Sequence, residues 1–167
     1  MPDTPLATAT FADLNLELAT TRRVLDRVPA DRLDWRPHER SMTLGELATH
    51  IANLLRWWQM TLTTDGFDMS QARPPSDAPT TKDGILDLWD QNAAAVRELA
   101  AKTTDDDLNV TWTLRAGENV ISTDPRYLVV RRFGMSHVVH HRGQLSVYLR
   151  LLDVPVPSIY GPSADEK

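Results

Sequence analysis

The sequence predicts an all-α protein built as a four-helix bundle, and three observations carry that reading. Apolar residues recur at three- and four-residue steps through four long segments. Proline-rich stretches and helix-start signals separate those segments. Strand-like patterning is confined to one short patch. The chain has 167 residues, 41% hydrophobic and 25% charged, which suits a single globular domain over residues 1–167.

The first helix is expected over roughly residues 8 to 28, where Phe11, Leu14, Leu18, Leu25 and Val28 form the apolar stripe before Pro29 closes it. Pro29 to Arg40, with Trp35, Pro37 and His38, reads as an extended connection. The second helix is expected over roughly residues 44 to 64. Thr43 followed by Glu46 has capping-box spacing, in which each side chain satisfies a free backbone amide at the helix start. Leu47, His50, Ile51, Leu54 and Trp57 share one face, so His50 is expected on a buried side. Gly66 to Thr81, containing Pro74, Pro75 and Pro79, reads as a long loop.

The third helix is expected over roughly residues 82 to 102, with Ile85, Leu88, Trp89, Val96 and Leu99 as its stripe. Asp105-Asp106-Asp107 reads as a solvated loop or helix start. Val110 to Leu114 and Val120 to Ser122 flank a turn-like group, Arg115 to Asn119, and predict a short hairpin or extended loop between helices three and four. The fourth helix is expected over roughly residues 125 to 152, with Asp124 as N-cap and Pro125 at the first helical position. Its pattern runs through Val129, Phe133, His137, His141, Gln144, Tyr148 and Leu152 until Pro155 and Pro157 stop it. Residues 158–167 read as a coil tail.

Composition narrows the chemistry. The chain has no cysteine, so a metal must be held by His, Asp or Glu, and any thiol must come from outside. The net charge is −5, and Arg22-Arg23 and Arg131-Arg132 are isolated basic pairs. Without a concentrated cationic face, no nucleic-acid partner is expected. The stretch from His50 to Met60 is too short, and too interrupted by Asn53, Arg56 and Gln59, to span a membrane. Met1-Pro2-Asp3-Thr4-Pro5 lacks the basic and apolar regions of a secretory signal, so the expected location is the cytoplasm.

Five histidines are present: His38, His50, His137, His140 and His141. His137 and His141 are one helical turn apart, so both imidazoles can reach one point from one face. His140 is also near that face and could replace His141 on spacing alone. His50, on the second helix, needs a polar partner if buried, and a metal shared with the fourth helix would provide one. A histidine on an apolar face is also commonly a core residue bonded to a backbone carbonyl, and spacing leaves both readings open. Gln144 lies near the histidine face, where it could orient a ligand or brace the helix. Arg142 points elsewhere, as a salt-bridging residue would. Glu46 shares the His50 side, although capping already accounts for it. Trp57, Trp58 and Tyr148 could line a pocket or belong to the core.

The segment Asp34-Trp35-Arg36-Pro37-His38-Glu39-Arg40-Ser41-Met42-Thr43-Leu44-Gly45-Glu46-Leu47-Ala48-Thr49-His50-Ile51-Ala52 resembles the start of the second helix in the DinB family. Ser136-His137-Val138-Val139-His140-His141-Arg142-Gly143-Gln144-Leu145 resembles the most recognisable signature of the same family, and the two motifs stand in the expected order. The resemblance implies a DinB/YfiT-like four-helix bundle with one divalent metal ion, often zinc or nickel. Carried over by motif position, the ligands are His50, His137 and His141. His140 becomes an adjacent non-ligand, with Glu46 and Gln144 as supporting residues.

Three protein ligands leave a coordination position open, as catalytic rather than structural sites do. Related proteins include bacillithiol transferases and mycothiol-dependent maleylpyruvate isomerases. The resemblance therefore implies a metal-dependent transferase in which a low-molecular-weight thiol attacks a small electrophilic substrate. A non-catalytic, metal-stabilised bundle and a metal-dependent hydrolase remain as alternatives. Similar proteins also lead to the expectation of a homodimer.

Overall fold

The apolar repeat near the N-terminus is divided between two helices, α1 (Leu6–Thr10) and α2 (Leu14–Asp26), where periodicity alone predicts one. The amides of Leu6 and Ala7 donate to the Asp105 carboxylate at 3.0 and 2.8 Å, so a residue distant in the chain satisfies free donors at the start of α1. The computed structural model describes residues 4–73 and 78–166. Pro74 and Pro75 of the expected long loop, the Met1 to Asp3 end and Lys167 lie outside the described residues.

Helix α3 (Leu44–Thr63) starts as its sequence predicts. The Thr43 hydroxyl accepts from the Glu46 amide at 3.1 Å, and the Glu46 carboxylate accepts from the Thr43 amide at 2.7 Å. Two free donors of the first turn are thereby satisfied. Beyond α3 the expected loop contains a strand, β1 (Gly66–Asp68). Its first residue must be small, because a Cβ on Gly66 would stand 2.5 Å from the Thr113 carbonyl oxygen. Helix α4 (Lys82–Lys102) follows, capped by the Thr81 hydroxyl, and then the short α5 (Asp105–Asn109), which has its own capping box from Thr104 and Asp107.

The predicted hairpin is present as β2 (Thr111–Ala116) and β3 (Asn119–Pro125), paired antiparallel, with β1 parallel to β2 on the other edge. Asp124 is not the helix cap that the sequence predicts. The hairpin extends further than its apolar residues suggest, pairing Trp112 with Asp124 and Thr111 with Pro125. The Asp124 carboxylate therefore accepts from the Ser122 hydroxyl within the strand. Pro125 then leads, without a side-chain cap, into α6 (Arg126–Val129), a π-helical turn (Val130–Met135) and α7 (Ser136–Leu151).

The π turn has an identifiable companion. A Cβ on Gly134 would lie 2.2 Å from Nε1 of Trp58, so the indole occupies the space of the missing side chain. Trp58 is fully buried, and its Nε1 has no hydrogen-bond partner.

Helices α2, α3, α4 and α7 form the bundle. Each of α2 and α3 packs against both α4 and α7, so α2 and α3 sit diagonally opposite. The core they enclose includes Leu25, Leu47, Ile51, Leu54, Trp58, Trp89, Val96, Leu145 and Leu149. A second cluster of Trp112, Leu114 and Val129 fastens the sheet to the bundle through Trp57, Met60, Phe67 and Phe133. The tail is coil, as expected, yet held in place. Glu166 pairs with Arg23 and Arg27, and Asp165 pairs with Arg150. Among the described residues, no helix is long and apolar enough to cross a membrane.

Candidate metal centre

Two facing helices supply the site by the same rule. On α3, Glu46, His50, Asn53, Trp57 and Met60 follow three- and four-residue steps and share an arc of about 80°. On α7, His137, His141, Gln144 and Tyr148 do likewise. In each helix the core stripe lies one residue further along: Leu47, Ile51, Leu54 and Trp58 on α3, and Val138, Arg142, Leu145 and Leu149 on α7. Packing the core stripes together brings the preceding stripes side by side at the edge of the α3–α7 interface. His50 is therefore half-buried rather than on the fully buried side that its apolar neighbours predict.

The histidines meet there. Ring centroids are 5.4 Å apart for His50 and His137, 4.6 Å for His50 and His141, and 4.7 Å for His137 and His141. One ring nitrogen from each lies within 4.8 Å of the others, and among the described residues this is the group able to hold a metal ion. Nitrogens sharing a tetrahedral zinc at about 2.0–2.1 Å stand roughly 3.4 Å apart, so capture requires the rings to draw in by an ångström or so.

The electrostatics favour neutral rings. Burial, then the adjacent His141 and His137, lowers the pKa of His50 to about 4. Burial also leads the lowering at His137, with His141 and His140 adding to it and the Phe133 backbone opposing it. His141 is lowered for the same first reason, against the Gln144 hydrogen bond. Neutral imidazoles keep a lone pair for a metal. Nδ1 of His141 lies 2.7 Å from Oε1 of Gln144. Donating Nδ1–H to that oxygen leaves the lone pair on Nε2 and holds the ring in place, the support that ligating histidines usually have.

The remaining candidates separate. His140 is exposed; its ring is 4.8 Å from that of His141 but outside the three-histidine group. Spacing cannot tell these two apart, whereas the bundle turns one inward and one outward. Glu46 commits its carboxylate to the Thr43 cap, whose backbone hydrogen bond is the main reason that its pKa is lowered. Arg142 is buried and pairs with Glu17 at 2.6 Å, the salt bridge that its position predicts. Trp58 belongs to the core, and Tyr148 packs edge-on against Trp35. Trp57 does line a cavity.

Two open cavities border His50, and Asn53 lines both of them as well. One, of about 920 Å³, carries several charged residues, Asp34, Arg36, Glu39, Arg40 and Glu46, beside apolar ones. The other, of about 650 Å³, includes Trp57, Met60, Phe67 and Met69. Asn53 was not singled out by its sequence. Its Oδ1 is buried with no hydrogen-bond partner, although its place three residues after His50 puts it on the same stripe.

The model of the DinB family matches residues 7–167. The "Uncharacterized protein YrdA" of Bacillus subtilis is 28% identical over 153 residues, covering 90% of this chain and 85% of that protein. A crystal structure of a DinB-like protein from Bacillus cereus superposes with a TM-score of 0.69 at 23% identity, covering 90% of this chain and 95% of the other. The DinB-like protein YjoA from Bacillus subtilis gives 0.70 at 15% identity, covering 93% and 99%. At these identities the two crystal structures bear on the fold alone.

Proposed function

This chain belongs to the DinB family, and from that premise we propose that it is a metal-dependent transferase in which His50, His137 and His141 hold one divalent ion, zinc or nickel. The observation that carries the reading is the three-histidine group, whose member His50 lines two cavities. The donor set fits such an ion: three imidazoles kept neutral by burial, without a carboxylate among them, and with His141 oriented by Gln144. Structural zinc sites are normally closed by four protein ligands, and three favour an open, reactive site. Bound here, the ion would supply positive charge that favours the thiolate form of a nearby thiol.

The chain's own residues do the rest. The two cavities hold two reactants whose near ends meet at His50. Asn53 lines both cavities and can present its side-chain amide to either reactant. A low-molecular-weight thiol loses its proton to solvent, its sulfur bonds to an electrophilic carbon of the second molecule, and a leaving group departs with the bonding electrons. A small-molecule substrate and a second copy of the chain are the partners in this reading, which places the protein in the cytoplasm and involves neither nucleic acid nor membrane.

The test starts with elemental analysis of protein purified without chelator. Zinc-loaded protein is then given 1-chloro-2,4-dinitrobenzene with and without a low-molecular-weight thiol. Thioether formation that requires both zinc and thiol is the expected result. Product formed with water alone would make the protein a hydrolase. Zinc uptake that raises thermal stability without turnover, across a panel of thiols and electrophiles, would make the ion a fastening between α3 and α7.

A further inference from the structure

The two cavities beside His50 differ in charge as well as in polarity. The larger mixes Asp34, Glu39 and Glu46 with Arg36 and Arg40, so it has no single sign. The smaller is lined by Arg56 and Arg73 and, among the described residues, by no Asp or Glu. That is a local reversal in a chain whose net charge is −5. Both arginines are exposed, and neither forms a salt bridge among the described residues.

Its apolar wall is fixed. The Trp57 ring packs edge-on against Phe67 at 5.8 Å and Trp112 at 6.3 Å, and stacks on Phe133 at 6.0 Å. A tryptophan held by three aromatic neighbours presents a flat surface that needs little ordering when a ligand arrives. Met60 and Met69 extend that surface, and thioethers adapt readily to ring edges. The volume of about 650 Å³ lies within the range of small-molecule sites.

We propose that this cavity binds small aromatic or bulky apolar molecules carrying a carboxylate, the apolar body against Trp57, Phe67 and Met60 and the anion toward Arg56 and Arg73. Binding itself requires no metal. Identifying the bound molecule as the electrophilic substrate rests on the transferase reading above, since the cavity ends at His50.

The test uses the metal-free chain, so that a carboxylate cannot simply ligate an ion. Calorimetric titrations compare 2-naphthoate with 2-naphthylmethanol, which share a ring system and differ in charge. The carboxylate should bind about tenfold more tightly at low salt, the scale of one or two charge-assisted contacts. In the Arg56→Gln, Arg73→Gln double variant, at exposed positions where folding is not at risk, the ratio should fall towards one. Met69→Asp, also exposed, should weaken both compounds and 2-naphthoate the more, since the new carboxylate repels its charge. Equal affinities, binding of neither compound, or discrimination that survives the double variant would overturn the proposal. Thiol transfer by zinc-loaded protein is measured separately. Turnover without naphthoate binding would end this proposal and leave the transferase standing, and naphthoate binding without turnover would do the reverse.

Discussion

His141 and Arg142 are adjacent on α7 and belong to two opposite kinds of polar cluster. The Arg142 guanidinium donates to the Glu17 carboxylate at 2.6 Å, the Thr21 hydroxyl at 3.1 Å and the Tyr160 hydroxyl at 2.6 Å. Tyr160 in turn donates to Glu17 at 2.9 Å. The charges of this cluster are paired within the protein, and both terminal nitrogens of the guanidinium have acceptors. Around His141, by contrast, three imidazoles keep lone pairs that no protein group uses, and the buried oxygen of Asn53 has no donor. A paired network stabilises and specifies the fold, whereas open polar groups beside a cavity are free to meet a ligand. One step along a helix, about 100°, separates the two outcomes.

The contrast makes ordered predictions. Arg142→Ala strands the buried Glu17 carboxylate and should cost about 3–5 kcal/mol in urea unfolding, while the folded protein still takes up zinc. A cost below about 1 kcal/mol would remove the network from the structural class. Next in size, zinc at a hundred times its Kd should raise wild-type stability by about 2.7 kcal/mol. That gain should vanish in His137→Ala, and a variant stabilised equally would place the ion elsewhere. Gln144→Ala should weaken zinc binding by about tenfold, since the His141 ring loses its orienting acceptor; unchanged affinity in a competition titration would make that hydrogen bond incidental. The smallest effect is expected for His50→Ala in metal-free protein, within about 0.5 kcal/mol of wild type. A loss above 2 kcal/mol would show His50 to be a core residue.

Features set by neighbouring residues could be read from the sequence. The Thr43–Glu46 capping box and the helices it helps to delimit needed only local spacing, as did the one-turn separation of His137 and His141. Features set by distant partners could not. The capping of α1 depends on Asp105, the three-residue β1 on its pairing with β2, and the fate of Asp124 on how far the hairpin extends. His50 occupies a middle ground. Its apolar neighbours suggested burial, and only the matched displacement of site and core stripes on α3 and α7 explains why it emerges at an edge. The motif resemblance joined it to the other two histidines, whereas Asn53 belongs to neither motif's named ligands.

The π turn before His137 has a consequence for how this chain can change over generations. Because the Trp58 indole fills the place of a side chain at Gly134, enlarging position 134 requires something smaller at position 58. Two residues far apart in the chain are thus bound into a single heritable choice, made in the helical turn just ahead of the histidines.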